Sequence, residues 1–155
     1  MCQHCGCRAV GPIGELMDEH DHLLDSAQAL RQALANGDRS VAAEIFAWIV
    51  EHLGIHARRE EQGIFAALRD TGEYLEEVDA LEGEHASFDA DIKALDVFSA
   101  DFEPRVNEFL RNLDHHVERE NLGIFPVSVV TLGAAGWQKV QEARELLPTF
   151  LNDRA

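Results

Sequence analysis

Two segments of the chain, 60 residues apart, repeat the same arrangement of histidine and glutamate. The first contains His56 and Glu60, and the second contains His116 and Glu120. Residues four positions apart lie on the same face of an α-helix, so each pair would present an imidazole and a carboxylate together. A glycine, an isoleucine and a phenylalanine follow at matching offsets in both segments. The repeat predicts two related halves, each with a pair of side chains able to bind a cation.

Each half also supplies a histidine from the helix before its repeat segment. His20 and His85 both follow a glutamate, and both lie within a stripe of apolar residues spaced three and four apart. Such a stripe is the face of an amphipathic helix that turns inward. The sequence therefore predicts that six polar side chains converge on one axis: His20, His56, Glu60, His85, His116 and Glu120.

A metal pair is the interpretation that best accounts for this convergence. Buried carboxylates are costly without a compensating positive charge. The one cationic residue that we place on these inward stripes, Arg31, lies well away along its helix. Imidazole and carboxylate without thiolate suit iron, manganese or zinc. Open positions on such ions could take water, dioxygen, peroxide or nitric oxide.

The symmetry of the two halves suggests how two ions would be shared. The two glutamates, one from each half, are placed to bridge the ions. The histidines would then divide into two pairs, one for each ion: His20 with His56, and His85 with His116.

The elements that must position these residues are helices. Five helical segments are predicted and no strand, at about 14–34, 40–69, 73–95, from 104 to an interruption at Pro126, and 134–147. Long helices with short loops predict an all-α, up-down-up-down four-helix bundle with a short C-terminal fifth helix. We divide the chain into a cysteine-rich extension (1–12), a metal-binding bundle (13–130) and a C-terminal helix that packs on it (131–155).

Composition narrows the function classes. The chain has 155 residues, 46% hydrophobic and 27% charged, as expected for one globular domain. A formal net charge of −16 argues against nucleic acid and against anionic membrane surfaces. We find no apolar run of membrane-spanning length and no secretory signal, so we expect a cytoplasmic protein. The oligomeric state stays open.

The order His, His-x-x-x-Glu, His, His-x-x-x-Glu, over about 13–125, resembles the hemerythrin-like, or HHE cation-binding, domain family. The resemblance implies a four-helix bundle with a non-haem di-iron centre. Its two iron ions would be bridged by carboxylates and by oxo or hydroxo groups. The ligands implied are the six residues above: His20, His56, Glu60, His85, His116 and Glu120.

Two departures separate this chain from oxygen-carrying hemerythrin. That protein has a fifth histidine where Asp89 stands here, and its last carboxylate is an aspartate five residues after its histidine. Here the last carboxylate is Glu120, four residues after His116. These departures favour sensing of, or chemistry with, iron, oxygen or peroxide over reversible oxygen carriage.

Several functions therefore stay open. The first is a di-iron protein that binds, senses or reacts with dioxygen, peroxide or nitric oxide, including catalase-like or peroxidase-like activity. The second is an iron-binding regulatory or storage module without turnover, and the third is a metal-free interaction bundle. A ferritin-like di-metal oxidase would instead use Glu-x-x-His pairs. Glu19 with His22 and Glu82 with His85 have that spacing, but this alternative leaves the remaining histidines of the repeat unused.

Other residues could modify the site. His52 and Asp89 are predicted to face inward one turn from a candidate ligand, and Glu61 could shift in from beside Glu60. Glu19 and Glu84 are either surface charges or partners that orient ligands. Gly63 and Gly123 either allow close packing or leave room for a small ligand. His22 and His115 are expected to face solvent.

The N-terminus concentrates all three cysteines of the chain. Cys2, Cys5 and Cys7 surround His4, and no cysteine lies in the body of the chain. A mobile tail is the simplest interpretation. A redox switch or a second metal site is the alternative, because thiolates and imidazole are metal ligands.

Overall fold

A computed structural model describes residues 6–153 as helices joined by short turns. Two π turns, Glu61–Phe65 and Glu120–Ile124, each join one helix to the next without a break. No strand occurs in this part of the chain. The helices are α1 (Gly11–Ala35), α2 (Arg39–Glu60), α3 (Ala66–Thr71), α4 (Leu75–Ala94), α5 (Phe102–Arg119), α6 (Phe125–Thr131) and α7 (Ala134–Leu146).

The helices pack as an up-down-up-down bundle. α1 packs against α2 and α5, α4 packs against α3 and α5, and α7 lies across the first π turn and α3. The predicted all-α bundle with a short fifth helix is confirmed. Within residues 6–153, no helix combines the length and the apolarity needed to cross a bilayer.

Local signals set where the helices begin and end. Gly37 and Gly72 have φ angles of 72° and 76°, a left-handed conformation that favours glycine at the end of a helix. The Asp38 carboxylate accepts a hydrogen bond of 3.1 Å from the Val41 amide and so caps α2. α2 then runs without interruption to the first histidine–glutamate pair of the repeat.

The interruption predicted at Pro126 is wrong. Pro126 lies in the first turn of α6, and the helix continues through it to Thr131. The π turn that ends at Ile124 changes the hydrogen-bond register just before the proline. Proline is tolerated in the first turn of a helical segment because its missing N–H is not required there.

The buried core consists of two apolar clusters separated by a polar layer. The polar layer comprises the six candidate ligands, which lie between the clusters on every long helix. In sequence, for example, His20 lies between Leu16 of one cluster and Leu23 of the other. His85 similarly lies between Leu81 and Phe88. The apolar faces therefore pack the bundle on both sides of the layer and shield it from water.

Candidate metal centre

The structure brings all six candidate ligands together in the polar layer. None of the six residues is more than 6% exposed. Their donor atoms form two groups, and within each group the atoms lie within 4.8 Å of one another. One group contains His20, His56, Glu60 and Glu120, and the other contains Glu60, His85, His116 and Glu120. The histidines are thus divided as the symmetry of the repeat suggested, and both glutamates belong to both groups.

Glu60 stands between the two histidine pairs. Its Oε1 lies 2.8 Å from His56 Nε2 and 3.4 Å from His20 Nε2. Its other oxygen, Oε2, lies 3.3 Å from His85 Nε2. One carboxylate therefore faces donors from both halves of the chain. Glu120 makes the corresponding close contact with His116 Nε2.

Six buried polar atoms in this layer lack a hydrogen bond. Among the described residues, the buried side-chain atoms without a hydrogen-bond partner are His20 Nε2, His56 Nε2 and both carboxylate oxygens of Glu60 and Glu120. The short contacts around them do not have hydrogen-bond geometry. Polar atoms left in this state are rare and costly in folded proteins. Because all of them belong to candidate ligands, this donor set fits a bound cation.

The opposite nitrogen of each histidine ring is held by a side-chain oxygen. An Nδ1–H that donates to this oxygen leaves the Nε2 lone pair facing the polar layer, as metal ligation requires. Three of the acceptors are carboxylates and one is an amide. The contacts are His20–Asn121 at 2.8 Å, His56–Glu19 at 2.6 Å, His85–Glu61 at 2.8 Å and His116–Glu84 at 2.7 Å.

These contacts decide between the two interpretations of Glu19 and Glu84. Each orients a histidine on a different helix rather than lying free on the surface. Glu61 belongs to neither group of donor atoms and contacts His85 Nδ1 instead. Asn121 was not singled out in the sequence, and its one signal is its place directly after Glu120.

A buried arginine next to the site was missed. Arg59 is 5% exposed, forms ion pairs with Glu19 and Glu15, and donates a 2.8 Å hydrogen bond to the Leu147 carbonyl. The Thr149 hydroxyl also donates to Glu19, at 2.7 Å. The expectation that no Lys or Arg side chain lies close to the site was therefore wrong. Arg59 neutralises the charge of Glu19, whereas the carboxylate oxygens without a hydrogen bond belong to Glu60 and Glu120.

In the metal-free protein, the polar layer holds protons in place of cations. Burial alone lowers the pKa of His56, but the carboxylates of Glu60 and Glu19 outweigh it and raise the pKa to about 10. Burial also lowers the pKa of His85, but the Glu60 carboxylate outweighs this effect and the pKa rises to about 9. Both histidines are therefore charged at neutral pH when no metal is bound.

The two central carboxyls are pushed in opposite directions. Burial would raise the pKa of Glu60, but the His56 imidazolium beside it holds the pKa well below its usual value. Burial and the charge of Glu60 together raise the pKa of Glu120. Two carboxyls in one dry site cannot both ionise easily without added positive charge.

Two residues expected to face inward do not join the donor groups. The His52 ring stacks on Trp48 at 4.0 Å, and its Nδ1 donates to the Trp48 carbonyl at 2.8 Å. Asp89 is exposed, contrary to the prediction. Phe88, three residues after His85, takes the buried position one turn on, and Asp89 lies outside the core.

The two glycines of the repeat lie in different surroundings, and one cysteine of the N-terminal cluster is buried. A Cβ on Gly63 would lie 3.5 Å from the Ala143 Cβ, so this glycine faces α7 and packing explains it. A Cβ on Gly123 would meet no heavy atom within 4 Å. Cys7 is buried in a short 3-10 turn. The rest of the cysteine cluster, Cys2, His4 and Cys5, lies outside the described residues.

Fold and site together define a helical-bundle protein with a buried centre of histidine and glutamate donors. The family described as the hemerythrin HHE cation-binding domain matches residues 11–128, and the chain belongs to that family. No curated protein and no solved structure matches the chain. The two donor groups include His56 and His116, which the ferritin-like alternative leaves unused, and omit His22 and Glu82.

Proposed function

We propose that this protein is a non-haem di-iron protein that binds, senses or reacts with dioxygen, peroxide or nitric oxide. The observation that carries the proposal is the set of six buried donor atoms without hydrogen bonds, all of which face one layer of the bundle. Membership of a cation-binding family supports it independently. This donor set suits iron, manganese and zinc alike, so the choice of iron is a separate part of the proposal.

In this proposal the ions are divided between the two donor groups. His20 and His56 would hold one ion, and His85 and His116 would hold the other. Glu60 and Glu120 serve both, because their oxygens belong to both groups. Six protein donors would leave coordination positions free on the two ions, where a small molecule could bind.

The protein's own contribution is orientation and exclusion of water. The acceptors at Nδ1 fix the ring orientation of each histidine and increase its basicity. The apolar clusters on both sides keep the layer dry, which strengthens electrostatic interactions within it. Bound iron would supply one-electron redox chemistry and open coordination positions for a small ligand.

The first test is the metal content and optical spectrum of protein produced with ample iron and purified in air. We expect two iron ions per chain and a charge-transfer absorption band that changes on reduction. His116→Ala should lower the iron content and the band, whereas His115→Ala should leave both intact, since His115 is exposed and next in sequence. Colourless wild-type protein without iron after reconstitution would overturn the proposal, as would manganese or zinc bound in preference.

Peroxide then separates the possible outcomes of iron binding. Catalytic evolution of oxygen from the iron-loaded protein would identify an enzyme. A spectral change that is stoichiometric with peroxide, dioxygen or nitric oxide would identify a sensor or carrier. The absence of any response to all three ligands would leave an iron-binding regulatory or storage module and contradict the proposed reactivity.

A further inference from the structure

A cavity of about 400 Å³ lies between α2 and α4 and reaches the edge of the polar layer. His85 forms part of its wall. Leu53, Phe88 and Ile92 supply apolar surface beside the histidine. This volume is ample for a molecule of two to four atoms together with water.

His85 connects the cavity to both donor groups. It is the most exposed of the four histidines, at 6% against 2% or less for the others. Its Nε2 lies 3.3 Å from Glu60 Oε2 and 3.1 Å from His116 Nε2. A molecule that enters the cavity therefore meets the His85 ring, whose Nε2 contacts Glu60 and His116.

Two neighbouring cavities lack this connection. One of about 450 Å³ lies between α4 and α5, and one of about 370 Å³ lies between α4 and the turn that contains Gly123. Among the described residues that line these two cavities, none is one of the six candidate ligands.

The charges of the cavity wall disfavour anions. The wall carries three carboxylates, those of Glu61, Glu82 and Asp89, and one guanidinium, that of Arg58; Glu82 also pairs with Arg69 at 2.7 Å. The whole chain has a formal net charge of −16, which adds to the repulsion at long range. An uncharged molecule meets no such barrier and gains from the apolar surface beside His85.

Small residues keep the cavity open on both helices. Gly54 and Ala57 line it from α2, and Ala86 lines it from α4. A Cβ built on Gly54 would meet no heavy atom within 4 Å. A side chain at this position therefore begins in open space beside the cavity.

We propose that the cavity between α2 and α4 is the access route and binding pocket through which small uncharged molecules reach the polar layer beside His85. This inference rests on the proposed function, because it concerns the ligand of the same centre. It adds the side of approach and the charge class of the ligand, which the donor groups alone do not give.

Three glycine-to-leucine variants test the route. Gly54→Leu fills the cavity. Gly83→Leu is the matched control, because Gly83 is exposed within α4 and its added Cβ would also meet no heavy atom within 4 Å. Gly123→Leu fills the alternative cavity near the second π turn. Leucine is a better helix former than glycine, so loss of folding is not expected in any of them.

The first measurement is the rate at which nitric oxide combines with the reduced, iron-loaded proteins. We expect Gly54→Leu to slow this reaction about tenfold or more, since the ligand must wait for rearrangement of the helices. Gly83→Leu and Gly123→Leu should react at the wild-type rate, with iron content equal in all four proteins. A wild-type rate in Gly54→Leu, or a slower rate in Gly123→Leu alone, would overturn the route.

The second measurement needs no metal. Dissolved dioxygen is paramagnetic and should broaden the methyl signals of Leu53, a buried residue of the cavity wall, in the metal-free wild-type protein. Gly54→Leu should abolish this broadening, and Gly83→Leu should preserve it. Equal broadening in the two variants would overturn the route. If wild-type protein binds no iron but shows this pattern, the proposed function fails while the cavity's affinity for small uncharged molecules stands.

The charge class is tested with azide, an anion, against nitric oxide. Asp89→Lys reverses one exposed charge at the cavity without touching a candidate ligand. We expect azide to bind the oxidised variant several-fold faster, with the nitric oxide rate unchanged. Unchanged azide binding, or equal acceleration of both ligands, would contradict the selection for uncharged molecules.

Discussion

The Nε2 atoms of His85 and His116 lie 3.1 Å apart, although the residues come from separate helices. The Nδ1 atom of each ring faces a carboxylate, that of Glu61 or Glu84. The two Nε2 atoms can approach this closely in the metal-free protein only if one carries a proton and the other accepts it. A cation that took both lone pairs would replace that shared proton.

Glu120→Gln should separate metal binding from folding. Burial and Glu60 raise the pKa of Glu120, which shifts the metal-free carboxyl toward its neutral form, and glutamine resembles that form. We expect the free energy of unfolding of the metal-free variant to lie within about 1 kcal/mol of wild type. Iron affinity should fall by about tenfold or more because a shared ligand is weakened.

Urea denaturation and iron titration check this prediction. Glu118→Gln is the matched control, since Glu118 is exposed and lies two residues before Glu120. Wild-type iron affinity in Glu120→Gln would remove Glu120 from the proposed ligands. A large loss of metal-free stability would show that the ionised carboxylate supports the fold.

Removal of metal should lower the melting temperature. An ion that binds only the folded state stabilises it by about 4 kcal/mol when its free concentration is about 1,000 times its dissociation constant. For a chain of this size that corresponds to a shift of about 10 °C. Calorimetry of iron-loaded protein with and without chelator measures the shift. The same melting temperature in both samples would favour a metal-free interaction bundle.

The metal-free protein should lose stability in alkaline solution. The pKa values of His56 and His85 are raised from 6.5 to about 10 and about 9, so folding favours their protonated forms. This contribution is fully present below about pH 6.5 and is lost as the pH rises through 9 to 10. Urea denaturation of metal-free protein at pH 7 and pH 10 tests it.

The affinity for iron should increase with pH below neutrality, whereas the stability of the metal-free protein falls as the pH rises. Metal displaces the protons of both histidines, so iron binding should tighten as the pH rises from 5 to 7. Stability of the metal-free protein that does not change between pH 7 and pH 10 would mean that these histidines are not charged in the folded state.

Arg59 should contribute strongly to the stability of the fold, whereas the adjacent Arg58 should not. Arg59→Met would remove one of the two positive charges beside the buried Glu19, the other being that of His56, and such a loss is expected to destabilise the protein by about 3 kcal/mol. Arg58→Met changes an exposed side chain, so an effect within about 0.5 kcal/mol is expected. Denaturation of the two metal-free variants under identical conditions measures their free energies of unfolding. Equal values would contradict the role assigned to Arg59.

Helical periodicity accounts for what the sequence could predict. His56 and Glu60 share a helix face because they are one turn apart, and the same holds for His116 and Glu120. The bundle architecture follows from long amphipathic helices joined by short loops. These features depend on local spacing, which one sequence records directly.

Contacts between helices were harder to predict. Asn121 and Glu61 reach histidines on other helices from within or next to the π turns. A π turn adds a residue to the helical register, and apolar spacing alone does not reveal it. The side chain of Arg59 packs beneath the C-terminal segment, which no periodicity within α2 indicates.

Anomalous diffraction at the iron edge, from crystals of the iron-loaded protein, tests the central claim most directly. We expect two peaks between Glu60 and Glu120, one beside His20 and His56 and the other beside His85 and His116. The absence of peaks in this layer at full iron supply, or peaks bound elsewhere on the chain, would contradict it.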